Sequence, residues 1–208
     1  MNVDLNAISE KLRYKLLMSS VVPRPIALVT SVDAEGRINA APYSCFNVMG
    51  STPATVVLGL DSRSQGVAKD TVRNVHLTGE FVVNLVSEAI VGAMNLCSAP
   101  LPPGANELDH AGLTAAPSVQ VRPPRVAESP ISLECKRLMA LDLGNGRTVI
   151  IGNVVHFHID DAYYDAEGQY VLTDRIGLVG RMHGADWYAR STDLFSLPRP
   201  VANAHLAP

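Results

Sequence analysis

Two stretches of the chain hold residues whose types and spacing can do chemistry. The first is Ser62–Thr71, with Ser62, Arg63, Ser64, Lys69 and Thr71 around a single Gly66. It leads into a helix signal, and the N–H groups at a helix start attract an anion. Arg63 can grip phosphate oxygens in a fork, and Lys69 adds a point charge. There is no Gly-Lys-Ser/Thr run, so this is not a Walker loop. Read alone, the stretch also suits a solvated loop before a capped helix. The second stretch is Ile38–Asn47, where Pro42 removes a ladder donor among Ala40, Ala41, Tyr43, Ser44, Cys45 and Phe46. Small residues there let another body come close to the backbone. Its plainer reading is an irregular strand end with a core Phe.

Other candidates carry less. His156 and His158 lie two apart in a strand pattern and so face one side. They suit a metal pair, but the sequence offers no third ligand, and strand-face histidines are commonly structural. Asp160, Asp161, Asp165 and Glu167 lack the spacing of a calcium loop and read as a polar turn. Cys45 reads as a buried, inert thiol. Tyr163, Tyr164 and Trp187 read as packing residues, and Tyr188 can reach a ligand.

The elements that must hold these residues are mostly strands. Ile26–Val29 is an apolar run with both faces covered. It turns at Asp33–Gly36 and returns through Ile38 and Ala40 as a hairpin. Ala54–Leu60 is a further strand. A helix follows, with Asp70 as N-cap and Gly79 just past its end, and Glu80–Val86 returns as a strand. Ser87 caps a second helix with an apolar stripe at Ile90, Ala93, Met94 and Cys97. Residues 98–106 form a loop, and 117–130 are extended and proline-rich. Ile131–Leu143 and Thr148–Ile159 are long strands joined by Gly144-Asn145-Gly146, a strong hairpin signal. Ile8–Leu17 reads as an amphipathic lead-in helix, and the tail after Pro198 as loose. Hairpin order with few helices predicts an antiparallel barrel within one domain spanning residues 1–208.

Composition excludes several classes. With 47% hydrophobic and 18% charged residues, a chain of 208 residues can build a real core. A net charge of −3 and a pI near 6.0 do not suit a polycation for nucleic acid. Three scattered cysteines predict reduced thiols and a cytoplasmic protein. No stretch reads as a signal peptide or a membrane span.

Taken together, the ordered motifs resemble a known family. They are Arg24-Pro-Ile-Ala-Leu-Val-Thr-Ser, Asn39-Ala-Ala-Pro-Tyr-Ser-Cys-Phe-Asn, Lys69-Asp-Thr-Val-Arg-Asn and Gly79-Glu-Phe-Val-Val-Asn. Later come Glu107…Gly112-Leu113-Thr, Glu134-Cys-Lys, Ile151-Gly-Asn-Val-Val and Gly180-Arg-Met-His-Gly-Ala-Asp-Trp-Tyr. From about Tyr14 to Arg199 the chain resembles the flavin reductase-like, FMN-binding split-barrel proteins, especially the flavoredoxin-type branch. The resemblance implies a six-stranded antiparallel Greek-key split barrel, bound FMN in preference to FAD, and a homodimer with flavin near the interface. It implies that Thr30 and Ser31 contact the flavin. Ala41, Pro42, Tyr43, Ser44, Cys45 and Asn47 would run along the ring. Ser62, Arg63, Lys69, Asp70 and Thr71 would surround the phosphate, and Arg181, His183 and Tyr188 would sit at the ring end. Cys45 stands where the family more often has an aromatic residue, and His183 where a small one is common. The implied activity is flavin reduction by hydride from NADH or NADPH, with electrons or reduced flavin passed to a monooxygenase component or redox protein. The alternative reading is a flavin-carrying electron-transfer module without that activity.

Overall fold

Residues 2–61, 68–102, 104–184 and 186–200 are described by the computed structural model. Helix α1 (Glu10–Ser20) starts where the Ser9 hydroxyl accepts from the Leu12 N–H, and none of its residues is buried. Five strands follow: β1 (Arg24–Pro25), β2 (Ala27–Val32), β3 (Ile38–Tyr43), β4 (Phe46–Ser51) and β5 (Ala54–Leu60). Then come α2 (Asp70–Thr78), β6 (Glu80–Leu85), α3 (Val91–Leu96) and α4 (Glu107–Ala111). Short strands β7 (Ala115–Ala116) and β8 (Arg125–Val126) precede the long pair β9 (Ile131–Asp142) and β10 (Thr148–Ile159). The chain ends through β11 (Tyr164–Asp165), β12 (Tyr170–Val171), α5 (Thr173–Ile176), β13 (Val179–Arg181) and β14 (Tyr188–Arg190).

The expected hairpins form. Ile38 pairs with Val32 across a turn in which Gly36 takes φ 81°. At the β9–β10 turn, Gly144, Asn145 and Gly146 all have positive φ, a geometry that glycine and asparagine tolerate best. Two helix starts differ from expectation. Lys69, not Asp70, occupies the cap of α2, with no side-chain cap bond, and Asp70 is already helical and paired with Arg73. Gly79 ends α2 with φ 71°, as its position predicts. Ser87 does not cap α3. It bridges to Leu178, and its carbonyl accepts from the Ile90 N–H, so the helix begins only at Val91.

Seven antiparallel strands hydrogen-bond in the order β3-β2-β6-β9-β10-β5-β4, one more than the six implied by resemblance. The first and last strands of that order are consecutive in the chain, with only Ser44 and Cys45 between them. A sheet whose two ends lie two residues apart must roll until they meet, which makes this a split barrel. The Gly59 N–H donates to the Cys45 carbonyl at 2.7 Å and holds that corner on β5.

Strand β2 shows why its sequence lacks a polar face. Ala27 and Val29 point into the barrel among Phe46, Leu58, Phe81, Leu133 and Ile150. Ile26 and Leu28 point outward under Met94, Leu108 and Val126, delivered by α3, α4 and β8. The stripe Ile90, Met94 and Cys97 is buried in this outer cluster, as read. Gly152 has no side chain because the Phe81 ring lies where a Cβ would project.

Candidate functional site

Strand β3 ends the hydrogen-bonded order and floors a cleft made of two hollows that share Pro42, Tyr43 and Ser98. The first, about 220 Å³, is lined by Tyr14, Ile26, Ser44, Asn95, Arg181 and Tyr188. The second, about 410 Å³, is lined by Ala41, Lys69, Asp70, Thr71, Cys97 and Glu107. The irregular stretch around Pro42 is thus the wall that a ligand would touch.

Each hollow has a cation stacked on a tyrosine. Lys69 Nζ lies 5.1 Å from the Tyr43 ring centroid, and the Arg181 guanidinium lies 4.7 Å from that of Tyr188. Tyr43 is buried, and its hydroxyl donates to Thr71 Oγ1 at 3.0 Å. Asn39 Nδ2 donates to the same oxygen at 2.9 Å. With both lone pairs engaged, the Thr71 hydroxyl meets any further group as a donor. The start of α2 adds backbone N–H groups to this end. The Cys97 thiol is pushed up to about 11 by burial and by the Glu107 charge, so it stays protonated at neutral pH.

Arg24 ties the first hollow together. It is buried, and its guanidinium donates to Ser44 Oγ at 3.3 Å, to the Met18 and Val21 carbonyls, and to the Met182 carbonyl at 3.2 Å. One side chain therefore fixes the end of α1, the β3–β4 corner and the approach to Arg181.

The structure brings Ala41, Pro42, Tyr43, Ser44, Lys69, Asp70, Thr71, Arg181 and Tyr188 to the cleft. It does not bring Thr30 or Ser31 there. Both are fully buried; Thr30 Oγ1 donates to the Pro124 carbonyl at 2.5 Å, and Ser31 Oγ accepts from Asn74 Nδ2 at 3.1 Å. Asn47 is exposed on the far side of the corner, where its Oδ1 accepts from the Val48 N–H. Cys45 is exposed, not buried as its type suggested, because the chain turns outward at the corner. His183 is exposed and stacked 6.1 Å from Trp187, outside both hollows. Ser62 and Arg63 lie outside the described residues. Sequence reasoning missed Tyr14, Arg24, Asn95 and Ser98. Arg24 alone carried a signal, a charge abutting an apolar strand.

The donor set suits a flat ring with an anionic tail. Ala41 and Pro42 give flat apolar contact, Ser44 gives an edge partner, and Lys69 with Thr71 gives an anion site. The second hollow, at about 410 Å³, lies in the size range of small-molecule sites, about 300–1,000 Å³, and the first, at about 220 Å³, adjoins it.

Known proteins agree with this geometry. Residues 18–174 match the flavin reductase-like domain. Over 97% of both chains, the sequence is 38% identical to uncharacterized protein BH2278 of Halalkalibacterium halodurans. The fold matches 2-nitrobenzoate 2-nitroreductase NbaA of Pseudomonas fluorescens with a TM-score of 0.89 and 34% identity, covering 100% of each chain. It matches nitrilotriacetate monooxygenase component B of Bacillus cereus with a TM-score of 0.89 and 36% identity, over 95% of this chain and 98% of that one.

Proposed function

Because this chain belongs to the flavin reductase-like domain family, we propose that it is an oxidoreductase that binds FMN in the cleft along β3 and takes its electrons from NADH or NADPH. The observation that carries this reading is the meeting of Ser44, Lys69, Thr71, Arg181 and Tyr188 around two adjoining hollows. Lys69, Thr71 and the start of α2 would hold the phosphate, with Arg63 as a further expected contact. Ala41, Pro42 and Ser44 would support the ring, and Arg181 on Tyr188 would close its end. When bound, the flavin supplies hydride acceptance and onward electron transfer. The chain therefore needs no nucleophile of its own, and its residues bind, orient and exclude water.

The names of the two similar structures, a nitroreductase and a monooxygenase component, support electron delivery to a second acceptor. Val48 and Met49 on β4 and Leu138, Met139 and Leu141 on β9 are exposed apolar residues, which supports a homodimer. All three cysteines are free, in keeping with a reducing cytoplasm.

The test is anaerobic stopped-flow mixing of the FMN-loaded protein with NADH and with NADPH. Rapid loss of flavin absorbance is expected with one of them. A protein that binds FMN but bleaches with neither is a carrier, and one that takes up no flavin removes the proposal altogether.

A further inference from the structure

Strands β9 and β10 carry a second group of chemistry-bearing side chains, none of which lines the cleft. Glu134 on β9 stands opposite His156 on β10, just past a register shift between Val154 and His156. His158 follows on the same face, its ring 4.6 Å from that of His156 and tilted by 57°. One ligand atom from each of the three lies within 4.8 Å of the other two. The third ligand that the sequence did not reveal is therefore supplied by the neighbouring strand.

We propose that Glu134, His156 and His158 form a binding site for a divalent late first-row transition ion, zinc foremost. Two imidazoles and one carboxylate are a zinc donor set with a coordination position left over. Calcium and magnesium prefer all-oxygen sites and are disfavoured. The carboxylate is held in advance. It is fully buried, with Oε1 accepting from the Val119 N–H at 2.7 Å and Oε2 from the Gln120 N–H at 2.6 Å. Such outer contacts orient a ligand and keep it ionised. Both histidines are only partly buried, which leaves an approach from solvent.

In the structure His158 Nε2 lies 2.6 Å from Glu134 Oε1. The metal would replace the proton shared there. Ligands about 2.0–2.1 Å from a tetrahedral zinc sit roughly 3.3 Å apart, so the two must part by roughly 0.7 Å. If His158 is neutral its proton moves to Nδ1; if it is cationic one proton leaves to solvent. No electron changes hands.

The experiment uses the full chain in a C45S background, so that the exposed thiol does not compete, stripped with a chelator and dialysed. Zinc chloride is titrated by calorimetry, and cobalt(II) reports coordination by its visible absorption. The variant is His156→Asn, which leaves the Glu134–His158 bond intact and is checked for folding by circular dichroism. One equivalent of zinc is expected, with affinity at least about tenfold weaker in the variant, since even outer-sphere losses cost that much. No uptake at about millimolar zinc, or uptake equally tight in H156N, overturns the proposal. The readout does not involve flavin, so it stands or falls apart from the cleft.

Discussion

Around Asn84, polar side chains are shut inside the sheet; along β3, the same kinds of side chain line a hollow open to solvent. Asn84 Nδ2 donates to the Leu28 carbonyl and to Thr30 Oγ1, while its Oδ1 accepts from the Val126 N–H and the Ser132 hydroxyl, both at 2.8 Å. One side chain thereby fills its hydrogen-bonding capacity and joins β2, β6, β8 and β9. In the cleft, Ser44 lines the first hollow and Lys69 and Thr71 line the second. Residue type does not separate the two regions. What does is whether another segment covers the strand: the stretch ending in β8 seals the region around Asn84, whereas on β3 Glu107 of α4 takes the Ala40 N–H and the end at Pro42, Tyr43 and Ser44 borders the hollows.

The largest loss is expected at Asn84. Asn84→Ala leaves a buried N–H and a buried hydroxyl unpaired and is expected to cost about 3 kcal/mol of stability. Chemical denaturation checks this. A loss under about 1 kcal/mol would mean that the region is not sealed.

Next in size is the open side. Arg63→Ala with Lys69→Ala is expected to weaken FMN binding at least about tenfold, since a charge-assisted contact contributes about 1.5–3 kcal/mol. The melting temperature of the flavin-free protein should stay put. Unchanged affinity in a fluorescence titration would remove the phosphate assignment.

A smaller effect is expected through pH. Desolvation pushes the Glu134 carboxyl up, but hydrogen bonds from His158, Val119 and Gln120 outweigh it and leave its pKa below the ordinary 4.5. The folded state thus binds this proton more weakly than the unfolded chain. The carboxylate's contribution is complete above 4.5 and is lost as pH falls below it. Replacing Glu134 by Gln should flatten the acid limb of the stability curve, and an unaltered limb would count against it.

The smallest effect is expected at the exposed pair of Arg190 and Glu88, which meet at 2.5 Å. The hydrogen bond from Arg190 lowers the Glu88 pKa, yet solvent screens both groups. Arg190→Ala should leave the melting curve within experimental scatter, and a clear drop would show that this surface is covered in solution.

Much of the fold was legible because it is local. The β2–β3 hairpin, the Gly144-Asn145-Gly146 turn, the extent of β10 and the Gly79 stop each follow from neighbours in sequence. The site was legible where chain order places residues together, as at Ala41–Ser44 and Lys69–Thr71. The rest depends on distant packing. Nothing near Thr30 announces that Pro124 will cover it, and nothing near Glu134 announces Val119, Gln120 and His158. The reversal at Ser44–Cys45 changes which residues face inward, and so Cys45 and Asn47 turn away while Ser44 does not. Asn95 and Ser98 reach the cleft only because α3 packs outside β2.

That same reversal has a mechanical consequence. The rolled sheet has a seam, and its seam is two residues wide, one of which borders the hollow. A molecule resting against Ser44 acts as a wedge that braces the seam from outside. Amide deuterium uptake through Cys45–Val48 should therefore slow when the hollow fills, making this corner a built-in gauge of occupancy.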